Sequence, residues 1–285
     1  MIDNRQSVSL KNKELSTDSY AKFSLFLEQQ CGIVLGQNKQ YLVRSRLSSL
    51  LYDQPYDSLD GLVEQAISGR DRQLLQTVVD AMTTNETLWF RDNYPFELLI
   101  KELLPQAAAK KTRLRIWSAA CSSGQEPYSI AMSALEAQRL TPSVSRLSVD
   151  ITATDLSNSM LDKCREGCYD ELSLARGLPV DRRERYFSPH ANGMLQVKPN
   201  VKRMVQFKSF NLLHSYASLG QFDIVFCRNV LIYFSPEVKQ KILQQIAALL
   251  PPGGILFLGA SESISVAGDL FNMVKCHPGL YYQKK

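Results

Sequence analysis

Three short stretches carry residues able to do chemistry, and each follows an apolar run of strand-like length. The first is Ser118-Ala119-Ala120-Cys121-Ser122-Ser123-Gly124-Gln125-Glu126-Pro127. Its residues are small, so backbone can approach a ligand closely, but it is not G-x-G-x-x-G. Without the glycines that cradle a pyrophosphate, it argues against a nicotinamide dinucleotide and for a cofactor lacking that group. Glu126 offers a carboxylate there, although Ser123-x-x-Glu126 equally fits a capping box that serves only the helix start. The second stretch ends at Asp155. A carboxylate after a strand can accept from two neighbouring hydroxyls, as on a ribose. Beside Ser157 the same acid also reads as an ordinary N-terminal helix residue. The third, Cys227-Arg228-Asn229-Val230-Leu231-Ile232-Tyr233-Phe234, sets polar groups in an apolar run, where they need partners. Tyr233 taken alone reads as core.

These stretches need a scaffold that gathers the ends of strands. Leu114–Trp117, Leu147–Thr154, Val205–Phe207, Phe222–Cys227 and Ile255–Gly259 read as strands. Gln125–Leu140, Asn158–Glu166 and Pro236–Leu250, the last capped by Ser235, read as helices. Such alternation predicts a doubly wound α/β sheet with mostly parallel strands, whose ligands bind outside the carboxyl ends. The tail from Met273 to Gln283 reads as a closing strand with a turn at Pro278-Gly279. Residues 176–208 interrupt the alternation as an insertion. From Ser19 to Met82 the period is helical instead: Phe23, Phe26, Leu27 and Cys31, then Val43, Leu47, Leu50 and Leu51, then Leu74, Leu75, Val78 and Val79. Residues 1–15 are polar and are expected to fray.

With 285 residues, 45% hydrophobic and 21% charged, the chain is globular and needs neither disulfides nor metal as staples. A net charge of +5 is too small for a nucleic-acid footprint. The six cysteines include no C-x-x-C pair and the histidines no H-x3–5-H pair, which argues against a zinc site, although Cys164 and Cys168 could share a helix face. The N-terminus lacks an apolar signal segment, and the uncharged run from Ile242 to Ser261 is broken by Pro251-Pro252-Gly253-Gly254. The protein is therefore expected to be soluble and cytoplasmic; a monomer is also expected.

Five strings, taken in order, resemble the CheR family: TTNETLWFR at 83–91, SAACSSGQEPYSIAM at 118–132, ATD at 153–155, FNLL at 210–213 and FCRNVLIYF at 226–234. The resemblance implies a class I S-adenosylmethionine-dependent methyltransferase that esterifies glutamates on the cytoplasmic domain of bacterial chemoreceptors. It implies a seven-stranded, mostly parallel sheet over 91–285, a small antiparallel β insertion at about 176–208, and an all-α domain with linker over 1–90. It places Asn85, Thr87 and Arg91 on a linker over the cofactor, Glu126 at its ammonium and Asp155 at its ribose. Asn211 and Leu212 fall on the adenine side, Arg228 and Asn229 at the cofactor's edge, and Tyr233 near the reacting methyl. Trp89 departs from the pattern, where a smaller or different aromatic is expected. A glutamate with a reference pKa of about 4.3 is already an ionised nucleophile at neutral pH, so no general base is needed. That suits a chain with three histidines, none within these strings. Arg91 is assigned to orienting the substrate carboxylate, with a linker salt bridge as its plain alternative, and Tyr233 to positioning that carboxylate.

An acidic receptor helix needs a basic docking face. Residues 1–90 carry a net −2, but the second helix, expected from Gln37 to Leu51, holds Lys39, Arg44 and Arg46 with no acid, and the insertion carries a net +6. Some relatives grip a receptor tail peptide through a Gly-x-Gly turn in the insertion. Here the turn is Ser188-Pro189-His190-Ala191-Asn192-Gly193, which predicts methylation independent of that tether. The chain ends at its closing strand and is expected to stand alone. An RNA methyltransferase and a non-catalytic scaffold that binds the cofactor are the alternatives. The lack of an Asn-Pro-Pro-Tyr-like motif speaks against the first, and the retention of Arg91 and Tyr233 against the second.

Overall fold

The computed structural model describes residues 14–53 and 55–285. The fraying expected of the first fifteen residues therefore falls almost wholly outside the described chain. The chain divides into two compact units, one ending at Thr84 and the other running from Asn85 to Lys285. The boundary lies six residues before the expected one, because the segment after Thr84 folds with the second unit.

The first unit is helical: α1 (Thr17–Cys31), α2 (Gln40–Asp53), α3 (Leu59–Ser68) and α4 (Arg72–Met82). Local chemistry sets the ends. The Ser16 side chain accepts from the Ser19 amide to start α1, and Gly32, at φ 77°, ends it in the left-handed conformation. Asp71 accepts from the Gln73 and Leu74 amides to start α4. The predicted stripes meet in the interior, where Phe23, Leu27, Val43, Leu47, Leu51 and Val78 are fully buried.

The second unit opens with a helical stretch, α5 (Tyr94–Leu98) continuing through a π turn into α6 (Leu104–Ala108), which the sequence reading left out. Then come β1 (Arg113–Ala119), α7 (Gln125–Leu140), β2 (Ser148–Asp155) and α8 (Asn158–Glu166). The main sheet resumes with β6 (Val205–Ser209), β7 (Ile224–Cys227), α12 (Pro236–Leu249), β8 (Ile255–Leu258), β9 (Phe271–Lys275) and β10 (Leu280–Lys284). Between α8 and β6 lie β3 (Cys168–Tyr169), α9 (Glu171–Ala175), α10 (Val180–Tyr186), β4 (Phe187–Pro189), β5 (Leu195–Val197) and α11 (Pro199–Lys202).

The seven-stranded order is β6-β2-β1-β7-β8-β10-β9, with the first five strands parallel and β10 antiparallel to both neighbours. The central strands are covered on both faces, so β7 (Ile-Val-Phe-Cys) and β8 (Ile-Leu-Phe-Leu) are apolar throughout, whereas the edge strands β6 and β9 carry exposed polar residues. Ile116, Ile224, Phe226 and Phe257 pack on one side, and Trp117, Val225, Cys227, Leu256 and Leu258 on the other. The tail is thus two strands, not one. The chain passes β8 to make β9 at the edge and returns as β10 between them.

The insertion is a three-stranded antiparallel sheet in the order β3-β5-β4. It begins at Cys168 rather than 176, and residues 205–208 belong to the main sheet. Cys164 and Cys168 fall on a helix and a strand and share no helix face. The connection from β4 to β5 turns through Asn192 and Gly193, at φ 57° and 73°. No helix among the described residues is long and apolar enough to cross a membrane.

Candidate active site

From β1 the chain crosses to β2 on one side, and β7 lies on the other. The crevice at the carboxyl ends of these strands is where such sheets take ligands. The loop from Ser118 to Gly124 lines it. Three positive-φ residues shape the loop: Ala120 at 54°, Ser122 at 50° and Gly124 at 95°. At Gly124 a Cβ would stand 2.9 Å from the Tyr169 hydroxyl and 3.0 Å from Cys164 Sγ, so the loop lies directly on α8 and the small sheet. The Tyr169 hydroxyl donates to the Ser123 carbonyl at 2.7 Å, and Cys164 Sγ to the Ser122 carbonyl at 3.1 Å.

Asp155 brackets this loop. One carboxylate oxygen accepts from the Ser122 amide at 2.7 Å and the other from the Ser157 amide at 2.9 Å. Asp155 is thus the last residue of β2 and not an acid of the first turn of α8; it holds the amide of Ser157, the residue that caps that helix, together with the loop after β1. Asn211 Oδ1 accepts from the Leu213 amide at 2.9 Å, Leu212 is buried, and the Phe210 amide donates to the Asp155 carbonyl at 2.9 Å. The loops after β2 and β6 are tied together there.

The capping-box reading of Glu126 is overturned. The residue preceding α7 is Gly124, which has no side chain to cap with, and Glu126 turns inward. There it accepts from the Ser118 hydroxyl at 2.8 Å and pairs with Arg228 at 3.0 Å. Burial pushes its carboxyl up, while the charges of Arg228 and Arg91 and the two hydrogen bonds oppose the shift. The Arg228 side chain is 1% exposed and also pairs with Asp92 at 2.6 Å and donates to the Arg91 carbonyl at 2.8 Å. Its two terminal nitrogens are thus paired inside the protein, with Glu126 and with the linker, while its Nε is buried without a hydrogen-bond partner.

That linker is tightly coiled. Phe90, Asp92 and Asn93 all have positive φ, at 48°, 64° and 49°, a costly backbone for a bulky Phe that only surrounding contacts can maintain. The Phe90 amide donates to Ser129 Oγ at 3.1 Å. Arg182 lies 3.9 Å over the Phe90 ring while binding Glu136 through two 2.9 Å hydrogen bonds. Trp89, the departure from the family strings, is fully buried against Tyr169 and Phe187, and its indole donates to the Ser173 carbonyl. Its backbone contact, to the Arg176 carbonyl at 3.0 Å, is kept. The turn presents Arg91 half-buried near Glu126. Asn85 and Thr87 are half-buried upstream, and the Asn85 carbonyl accepts from Ser122 Oγ at 2.7 Å.

After β7, Asn229 sits at φ 58° and its Oδ1 is buried without a hydrogen-bond partner. Tyr233 ends the short turn Leu231–Tyr233 and is half-buried, not core. One residue escaped the sequence reading. Glu262 accepts backbone hydrogen bonds from Asn229 and Gly259, both at 2.7 Å, and from Ile232 at 3.3 Å. Its signal was an acid a few residues past a strand end, the same kind of signal that singled out Asp155.

The basic faces are thinner than composition suggested. Arg44 pairs with Glu14 at 2.7 Å, and Arg46 donates to the Thr83 carbonyl and Thr84 Oγ1 at the end of α4. Lys39 remains exposed. In the insertion, Arg176, Arg182 and Arg183 pair with Glu86, Glu136 and Glu171.

An open parallel sheet whose seventh strand enters antiparallel, with acids after its first two strands and no pyrophosphate cradle, defines a class I methyltransferase. The site also fits S-adenosylmethionine. An unpartnered buried acceptor at Asn229 and the carboxylates of Glu126 and Asp155 suit an ammonium and ribose hydroxyls. The CheR methyltransferase SAM-binding domain matches residues 85–280, and the CheR all-alpha domain residues 18–83. The chemotaxis protein methyltransferase of Vibrio parahaemolyticus is 57% identical over 271 residues, covering 95% of this chain and 98% of that one. Chemotaxis protein methyltransferase 1 of Pseudomonas aeruginosa is 54% identical over 265 residues, covering 92% and 96%. The Borreliella burgdorferi chemotaxis protein methyltransferase is 32% identical over 259 residues, covering 89% and 90%. The chain belongs to the CheR family and is an S-adenosylmethionine-dependent methyltransferase.

Proposed function

We propose that this enzyme methylates glutamate side chains on the cytoplasmic domain of chemoreceptors, giving methyl esters that adapt chemotactic signalling, without needing a receptor tail peptide. The observation that carries the reading is Arg91. A turn with three positive-φ residues presents it beside a nearly buried Glu126, and Arg228 fixes its backbone. A guanidinium so placed suits paired hydrogen bonds to a carboxylate.

Glu126 is assigned to the ammonium of the cofactor and Asp155 to its ribose. Asn211 and Leu212 take the adenine side, Asn85 and Thr87 cover the cofactor, and Asn229 borders it. When bound, S-adenosylmethionine supplies an electrophilic methyl on a sulfonium. Arg91 orients the substrate carboxylate and Tyr233 holds it in line. The carboxylate arrives ionised, so the site has to align and desolvate it rather than remove a proton. The chemotaxis names of the relatives support a receptor substrate, and exposed Lys39, just before α2, supports docking through the helical unit. Ion pairing of Arg176, Arg182 and Arg183 leaves the basic insertion less suited to RNA than its net charge suggests.

Transfer of labelled methyl to receptor-containing membranes, followed by base treatment, tests the substrate. Esters release labelled methanol and N-methyl groups do not. Arg91→Ala and Tyr233→Phe are expected to lower kcat by about tenfold or more, as loss of a hydrogen bond to a charged group does. Their affinity for S-adenosylhomocysteine should change little. Base-stable label, or parent turnover in Tyr233→Phe, would refute the respective assignment.

A further inference from the structure

Glu262 lies outside every string that marks the family resemblance, yet it joins two walls of the crevice. Its Oε2 accepts from the amides of Asn229 and Gly259, both at 2.7 Å, and its Oε1 from the amide of Ile232 at 3.3 Å. Its own amide donates to the Gly259 carbonyl at 2.9 Å, closing the turn that brings the carboxylate back over β8. A carboxylate suits this place because it only accepts, on two oxygens, and the three groups facing it only donate. Being charged, it makes each of these bonds stronger than a neutral acceptor would.

The groups so held matter for the site. Asn229 is kept at φ 58°, a conformation that favours glycine, and its side-chain Oδ1 is buried with no partner. Gly259 leaves room for this arrangement: a Cβ there would lie 2.6 Å from Asn229 Nδ2 and 2.8 Å from Glu262 Oε2. Ile232 immediately precedes Tyr233 in a single short turn, so holding its amide holds the backbone from which the tyrosine projects. The carboxylate is half-buried and lines a cavity of about 210 Å³ with Leu231, Ile232, Lys239 and Val266. It is a clamp at the rim of the site, not a core element.

We propose that Glu262 is a positioning residue for methyl transfer. By clamping the loops after β7 and β8 it aims Asn229 Oδ1 at the cofactor and Tyr233 at the substrate. This rests on the assignment of Asn229 and Tyr233 to the transfer site. Glu262→Gln tests it with almost no change of shape, because an amide offers one acceptor and turns a donor toward an N–H. Glu262→Asp keeps the charge but withdraws it by one methylene.

Four measurements on the full chain decide the matter: calorimetric affinity for S-adenosylhomocysteine, kcat and KM on receptor membranes, amide hydrogen exchange, and thermal unfolding. In Glu262→Gln the amides of Asn229 and Ile232 should exchange faster. Cofactor-product affinity and kcat should each fall by about tenfold, the loss expected of a charge-assisted hydrogen bond. KM for the receptor should stay within about twofold. Tyr233→Phe should cost less when combined with Glu262→Gln than alone, because coupled groups are not additive. Glu262→Asp should recover part of the loss. A lower unfolding temperature with unchanged affinity and kcat would reduce Glu262 to a structural clamp and overturn the proposal. Fully multiplicative effects of Glu262→Gln and Tyr233→Phe would likewise overturn it. If the parent forms no carboxyl esters, the functional reading fails, while affinity and amide exchange still judge Glu262 through Asn229.

Discussion

Replacing Arg228 by Met keeps an unbranched side chain of similar length in place but removes the cation that pairs with both Glu126 and Asp92. The two partners differ. The Asp92 side chain is 33% exposed and can rehydrate, so losing that pair costs little. Glu126 is only 14% exposed and keeps the Ser118 hydroxyl as its hydrogen-bond donor. Breaking a buried pair by deleting one partner typically costs about 3–5 kcal/mol. At about 2–4 °C per kcal/mol for a unit of this size, unfolding should move down by about 6–20 °C near neutral pH. The pH dependence is the sharper test. Burial already pushes the Glu126 carboxyl up, and Arg228 is the first of the groups opposing it. Without Arg228 the folded-state pKa rises further above the unfolded value. The folded state then holds that proton more tightly than the unfolded state does. Its stability contribution is full below the unfolded pKa and is lost as pH rises through the folded pKa. Parent and Arg228→Met should therefore converge toward about pH 4–5 and separate as pH rises, by about 1.4 kcal/mol per unit of added shift. Calorimetric unfolding across this range reads the difference directly, and Glu126→Gln combined with Arg228→Met should recover most of the loss. A gap independent of pH, or no recovery in the double variant, would refute the account.

Three further outcomes are expected. Asp155→Asn should weaken S-adenosylhomocysteine binding by about tenfold to a hundredfold, since an amide can satisfy neither the ribose nor both bracketed amides of Ser122 and Ser157; unchanged calorimetric affinity would leave Asp155 a loop bracket only. Cofactor-product affinity should fall as pH is lowered through the raised pKa of Glu126, because the protonated acid no longer attracts an ammonium, and Glu126→Gln should flatten that profile; an identical slope in the variant would exclude Glu126. Receptors lacking a tail peptide should be methylated, and added salt should slow the reaction, since exposed charges are screened beyond about 10 Å at about 0.1 M salt. Micromolar binding of the isolated peptide in a titration would refute tether independence. The slowing should be modest, because Arg44, Arg176, Arg182 and Arg183 are already ion-paired within the protein.

Much of the fold was legible along the chain, because caps and periodicities are local. Asn158–Glu166 is a helix over the predicted residues, with the Ser157 side chain accepting from the Met160 amide. Ser235 likewise starts α12 one residue before Pro236. The apolar strands announced a sheet covered on both faces, and acids just past them marked the side on which ligands bind. The insertion was legible as an interruption but not in its bounds. A two-residue strand such as Cys168–Tyr169 has no period to read and exists only through its pairing with Leu195 and Gln196.

The sequence alone thus determined the helical module, the strand–helix alternation, the family strings and the acids at strand ends, since each depends on residues near in the chain. Tertiary structure decided what those groups touch. Glu126 is a partner of Arg228, 102 positions away, rather than a helix cap. Trp89 fills the core beside β3 and β4, the tail becomes a hairpin with β10 between β8 and β9, and Glu262 reaches back to Asn229 and Ile232. Periodicity reports only whether a side chain is buried. Its partner is set by which strands lie side by side, and that follows from pairing and packing between segments far apart in the chain.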